Sequence, residues 1–222
     1  QMRGMGITVD FAPVVDVSDQ GANTVIGDRS FSNDPATVTA YAGAFARGLR
    51  DAGVLPVLKH FPGHGHASGD SHTAGVVMTP PLDQLMTSDL VPYQTLTSQG
   101  PVAVMMGHLE VPGLTGDQPA SLSQAAVGLL RSGGYGGAAF NGPVFSDDLS
   151  SMAAISSRYG VAEAVLRTLQ AGVDVALWIT TDEVPSVLDR LEKAVAAGEL
   201  AMPAVEASIL RMGKGPSARC GG

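Results

Sequence analysis

Strand-length apolar runs, each followed by polar, glycine-rich residues and then by a helical pattern, recur five times, at 7–17, 54–61, 102–109, 142–149 and 173–180. The near-continuous hydrophobicity of Val102-Ala103-Val104-Met105-Met106, in place of strict alternation, fits parallel strands covered on both faces. Helices supply the cover. Asp34-Pro35 reads as an N-cap and first helical residue, with Val38, Tyr41, Ala42, Phe45 and Leu49 spaced to bury one face. Similar patterns run over 82–98, 121–130, 150–171 and 184–197. The class is α/β, in one domain, since no low-complexity linker or charge block divides the units. Five β/α units are too few to close an eight-stranded barrel, yet polar residues cluster just past the strand C-termini, where barrel enzymes place them. The pattern is met either by an incomplete (β/α)8 barrel of the TIM type or by an open, doubly wound sheet.

Composition narrows the function classes. With 222 residues, 45% of them hydrophobic, the chain can build one substantial core. A formal charge of −8 and the lack of any Lys/Arg cluster argue against a nucleic-acid partner, which would be held largely by clustered basic groups. The single cysteine, Cys220, allows no intrachain disulfide, and nothing resembles a membrane span. The chain opens at Gln1 without a leader pattern, so a signal or lipid-attachment segment is expected upstream. The glycine-rich residues 214–222 are expected to form a flexible tail.

Four of the five histidines fall between His60 and His72, in the run Lys59-His60-Phe61-Pro62-Gly63-His64-Gly65-His66-Ala67-Ser68-Gly69-Asp70-Ser71-His72. Imidazoles change protonation near neutral pH, and their concentration beside a lysine and an aspartate marks the first candidate site.

Three stretches together resemble glycoside hydrolase family 3, and within it the single-domain β-N-acetylglucosaminidase (β-hexosaminidase) branch. They are Asp10-Phe11-Ala12-Pro13-Val14-Val15-Asp16-Val17 with Val25-Ile26-Gly27-Asp28-Arg29-Ser30-Phe31, then the run from Lys59 to His72, then Phe145-Ser146-Asp147-Asp148-Leu149-Ser150. The resemblance covers nearly all of 1–222 and implies a partial (β/α)8 catalytic barrel whose first strands lie upstream of Gln1. The family's Asp-(Gln/Glu)-Glu-Gly-Gly element has no counterpart here, so part of the sugar subsite is expected upstream as well.

The resemblance implies a retaining exo-hydrolase that removes terminal β-linked N-acetylglucosamine from muropeptides or chitin-type oligosaccharides, with no cofactor. Asp147 matches the nucleophile, and a carboxylate suits that task because it is ionised at neutral pH and leaves again in the second step. His72 with Asp70 matches the acid/base dyad. An unperturbed histidine titrates near pH 6.5, so it can give a proton to the leaving oxygen and then take one from water, while the aspartate holds the ring. Because a neutral histidine does not repel an anion, phosphate is an acceptor to weigh against water. Arg29, Lys59 and His60 match sugar-binding positions. His108 is a pocket-lining candidate or a satisfied structural histidine. Asp16 is expected near the site rim, Asp10 in a structural role, and His64 and His66 in shaping the loop.

Two other readings stand beside this one. A metal-dependent hydrolase would use His64, His66, Asp70 and His72, all proper zinc ligands but not at a familiar spacing. A non-catalytic carbohydrate-binding remnant is the third. Usage low in lysine and rich in arginine, alanine and glycine fits a bacterial source, with the cell envelope, as a lipoprotein, expected ahead of the cytoplasm.

Overall fold

The computed structural model describes residues 1–22, 24–68 and 75–213; Asp70, His72 and the expected tail at 214–222 lie outside them. The elements are β1 (Val9–Asp10), α1 (Pro35–Asp51), β2 (Leu55–Phe61), the short helices α2 (Leu82–Leu85) and α3 (Val91–Leu96), β3 (Ala103–Met106), α4 (Gln124–Ser132), β4 (Val144–Ser146), α5 (Ala153–Ser156), α6 (Val161–Gln170), α7 (Val184–Ala196) and α8 (Met202–Gly213). The four strands are parallel and lie in the order β1-β2-β3-β4. A doubly wound sheet reverses its strand order at a switch point; this order runs straight through. The fifth expected strand is reduced to a single parallel bridge between Phe145 and Val175. Backbone bonds from Ser146 N to Val175 O and from Leu149 N to Leu177 O, both 2.9 Å, hold that segment alongside β4.

The sheet is curved. Leu55, Val57, Ala103, Met105 and Phe145 form a buried cluster on one face, and Val9 from the first strand packs on it together with Val175 and Leu177 from the last segment. Phe11 also meets Phe145 edge-on at 5.3 Å. Residues from both ends of a flat sheet would not reach one cluster. The opposite face carries Leu58, Val104, Met106 and Val144, covered by Val38 and Ala42 of α1, Tyr93 and Leu96 of α3, and Val127 and Leu130 of α4. With both faces covered, the strands need no polar alternation.

Local signals explain the helices. Asp34 accepts the Thr37 backbone hydrogen at 2.8 Å with Pro35 at the first turn of α1, as the sequence predicts. The expectation that Tyr41 and Phe45 join the buried face is corrected: they are 61% and 45% exposed. Val38, Ala42 and Ala46, each four apart, set the buried stripe, and Tyr41 lies on its flank, stacked on Phe31 with ring centroids 6.1 Å apart. The helix expected over 82–98 divides into α2 and α3 because Pro92 has no N–H and fits only a first turn. The pattern over 150–171 divides into α5 and α6, with Gly160 as the N-cap of α6. Helix α8, which the periodicity did not announce, is tied down by Asp174, whose carboxylate takes hydrogen bonds from Arg211, Ser208 and Arg131. No described helix is long and apolar enough to cross a membrane.

Candidate active site

The site gathers at the C-terminal ends of β2, β3 and β4. Its foundation is a close approach of the loop after β2 to the segment after β1. A Cβ on Gly65 would stand 1.8 Å from the Val17 carbonyl oxygen, and one on Gly63, whose φ is +140°, would stand 2.3 Å from the Asp89 Cβ. Only glycine fits at either place. The carboxylate of Asp16, wholly shielded from solvent, joins the two segments. It accepts the backbone hydrogens of His60 at 3.2 Å and of His64 at 2.8 Å, and its Oδ2 lies 2.8 Å from His60 Nδ1. The expectation of Asp16 at the rim is thus corrected: the Pro13–Val17 backbone turns it inward, where an acceptor is needed by three N–H groups. Ser30 Oγ donates to the Asp16 carbonyl at 2.8 Å, which also moors the turn that carries Arg29.

Asp147 follows β4 and is partly exposed, with its carboxylate 3.8 Å from His60 Nε2. Its Oδ1 accepts the Asp148 backbone hydrogen at 2.9 Å. The neighbouring Asp148 faces inward and takes hydrogen bonds from the backbone and hydroxyl groups of Ser150 and Ser151. Burial works to raise the Asp148 pKa, but these bonds outweigh it and hold the carboxyl below its usual range. His108 is buried, with Nε2 2.6 Å from the Asp148 carbonyl and Nδ1 2.7 Å from Ser121 Oγ. Both ring nitrogens are engaged, and burial pushes the ring's pKa down. This geometry fits a satisfied histidine that holds the Asp148-Leu149 peptide, one residue on from Asp147.

A cavity of about 120 Å³ is lined by Val25, Ile26, Arg29, Lys59, His60, His64, Asp147 and Met152. Four sequence candidates, Arg29, Lys59, His60 and Asp147, therefore share one wall. Arg29 is exposed and donates to the Val25 carbonyl at 2.6 Å. Lys59 is half-buried; burial lowers its pKa, Asp147 pulls it back up, and Arg29 pushes it down again. Asp16 and Asp10 add smaller upward pulls. His64 shapes the loop through its backbone, as expected, and its ring also lines the cavity, where burial lowers its pKa. His66 is a loop anchor, with Nδ1 2.9 Å from Asp89 Oδ2. Met152 escaped the sequence reading, since a lone methionine after a strand carries no signal. The roles of Asp16, which binds residues more than forty positions away, and of the Ser150-Ser151 pair, which closes a turn on the Asp148 carboxylate, also escaped it. A larger cavity of about 500 Å³ lies between α4 and α8, where Gly172, Val173 and Asp174 lead into the last strand segment, and it holds none of these residues.

The arrangement offers one carboxylate facing a small space, with two cationic donors and two histidines around it. Such a set has the donors, acceptors and carboxylate to hold a polar, hydroxyl-rich ligand. Among the described residues no group of three or more His, Cys, Asp or Glu is disposed to hold a metal ion, and two ligands of the metal reading, Asp70 and His72, lie outside them.

Residues 1–214 match the model of the glycosyl hydrolase family 3 N terminal domain. The chain is 71% identical over 224 residues to the protein named Beta-hexosaminidase LpqI of Mycobacterium tuberculosis, covering 100% of this chain and 58% of that protein. A solved structure of a family 3 glycosyl hydrolase from Mycobacterium smegmatis matches with a TM-score of 0.93 at 74% identity, over 95% of this chain and 65% of that one. The family 3 β-N-acetylglucosaminidase of a Paenibacillus species matches with a TM-score of 0.87 at 34% identity, over 95% of this chain and 40% of that one. The chain thus spans less than two thirds of the length of these relatives.

Proposed function

The chain belongs to glycosyl hydrolase family 3, and from that premise we propose that it is part of the (β/α)8 catalytic barrel of a retaining exo-β-N-acetylglucosaminidase acting on glycans such as muropeptides or chitin-type oligosaccharides. The observation that carries the reading is the convergence of Asp147, Lys59, His60 and Arg29 on one cavity. The names of the relatives, Beta-hexosaminidase and β-N-acetylglucosaminidase, support the same substrate class.

In this reading Asp147 attacks the anomeric carbon as the glycosidic bond breaks, and the leaving oxygen takes its proton from His72. Water then attacks the glycosyl-aspartate, giving its proton to His72 and restoring the β configuration. Asp70 holds the His72 ring. Lys59, His60 and Arg29 grip hydroxyl groups away from the reacting carbon, and binding energy of that kind is useful where it strengthens in the transition state. An acid/base on the loop after β2 and a nucleophile after β4 approach the sugar from different strands, as barrel sites do.

Trapping tests the reading. The full-length protein is incubated with a 5-fluoro N-acetylglucosaminyl inactivator and its peptides are mapped by mass spectrometry. A sugar adduct on Asp147 is expected. An adduct on another residue, or turnover of 4-nitrophenyl N-acetyl-β-glucosaminide that survives Asp147→Ala, overturns it.

A further inference from the structure

We propose that Asp16 is a positioning residue that sets the tautomer of His60, so that the ring offers a bare Nε2 to the cavity as an acceptor for one sugar hydroxyl. The proposal rests on the glycosidase reading for the identity of that hydroxyl, but not for the state of the ring. An ionised carboxylate only accepts hydrogen bonds. With Asp16 Oδ2 2.8 Å from His60 Nδ1, the hydrogen of the neutral ring sits on Nδ1, and Nε2 carries the lone pair. The two backbone bonds from His60 and His64 to the same carboxylate hold it in place and prevent it from turning away. His60 and Asp147 both line the cavity, and at 3.8 Å from Asp147 Oδ2 Nε2 is too far away for a hydrogen bond with that group.

The consequence is a division of labour between Asp147 and the ring of His60. Arg29 and Lys59 can only donate. A bound hydroxyl both accepts and donates, so its own hydrogen needs an acceptor in the cavity. If that acceptor were Asp147, the hydrogen bond would draw charge from the carboxylate and weaken it as a nucleophile. His60 Nε2 takes the hydrogen instead and leaves Asp147 free. Asp16, which lines no part of the cavity, controls the outcome from behind the ring.

Replacing Asp16 by asparagine keeps an oxygen for the His60 and His64 backbone hydrogens. It presents an N–H to Nδ1, however, so the hydrogen moves to Nε2 and the cavity gains a donor where it had an acceptor. Swapping an aspartate for asparagine behind a catalytic histidine is known to produce this exchange, with a loss of about 10⁴-fold in rate where the histidine is the base. Here the ring binds and does not transfer the proton, so a loss of about 10²-fold in kcat/KM is expected.

The test uses full-length protein carrying 15N-labelled histidine. The ring signals of His60, identified by their absence in His60→Gln, are recorded at a pH where the ring is neutral. The expected spectrum has Nδ1 protonated and Nε2 bare in the wild type, and the reverse in Asp16→Asn. Should Asp16→Asn fail to fold, the wild-type spectrum decides alone. A wild-type ring with its hydrogen on Nε2, or one that stays doubly protonated throughout the alkaline range, overturns the proposal. So does an Asp16→Asn protein with the reversed tautomer and undiminished kcat/KM. Because the ring state is read without substrate, failure of the glycosidase reading would show separately, as absent turnover in the wild type with the tautomer unchanged.

Discussion

His108 Nε2 lies 2.6 Å from the carbonyl oxygen of Asp148. A carbonyl only accepts, so Nε2 carries the hydrogen and Nδ1 accepts from Ser121 Oγ, 2.7 Å away. The segment after β3 thereby grips the Asp148-Leu149 peptide, one residue beyond Asp147. His108→Phe, which keeps the ring volume and removes both bonds, is expected to lower kcat by about 10-fold with a smaller change in KM, since misplacement of a reacting group costs rate before affinity. Steady-state kinetics on 4-nitrophenyl N-acetyl-β-glucosaminide checks it, and an unchanged kcat would remove His108 from any positioning role.

The same histidine makes stability depend on pH. Burial lowers the pKa of His108 and of His64 in the folded protein below the ordinary histidine value of 6.5. Between the folded and unfolded values the unfolded chain binds more protons, so stability is full above about pH 6.5 and falls as the pH drops through that value. Urea denaturation at about pH 8 and about pH 5 should show a lower midpoint at the acid end. His108→Gln should narrow the difference between the two midpoints.

Glycines sort by what surrounds them. A Cβ on Gly65 would strike the Val17 carbonyl at 1.8 Å, whereas a Cβ on Gly48, within α1, meets nothing within 4 Å. Gly65→Ala is therefore expected to destabilise by about 3 kcal/mol or to prevent folding. Gly48→Ala, which removes the entropy cost of glycine in a helix, should stabilise by about 0.5–1 kcal/mol. Denaturation midpoints of the two variants should move in opposite directions.

Local signals and long-range packing contribute differently to this molecule. The strands and the outer helices follow from apolar runs and capping residues, because both signals are local. Tyr41 and Phe45 misled because spacing alone cannot tell the centre of a helix face from its flank. Arg29, Lys59, His60 and Asp147 were legible as a constellation through motif order. Asp16 was legible only as a charge in an apolar run; the three N–H groups it serves come from residues more than forty positions away, and no local pattern encodes that contact. His108 left two roles open in the sequence, and only the positions of Ser121 and Asp148 distinguish them.

Lys59 should set the alkaline limit of activity. Burial lowers its pKa from the ordinary lysine value of 10.5, the charge of Asp147 opposes that shift, and Arg29 reinforces it. The ammonium form donates to substrate, so activity is retained below the lowered pKa and lost as the pH rises through it. The alkaline limb of kcat/KM in the free enzyme is therefore expected at a pH below 10.5. Lys59→Arg supplies a cation that does not deprotonate in this range, but its planar fork cannot copy the ammonium's position. The expected result is a kcat/KM lower by about 10-fold at neutral pH, with the alkaline limb gone. A variant that keeps the limb at its wild-type position would assign it to another group and leave Lys59 a purely structural cation.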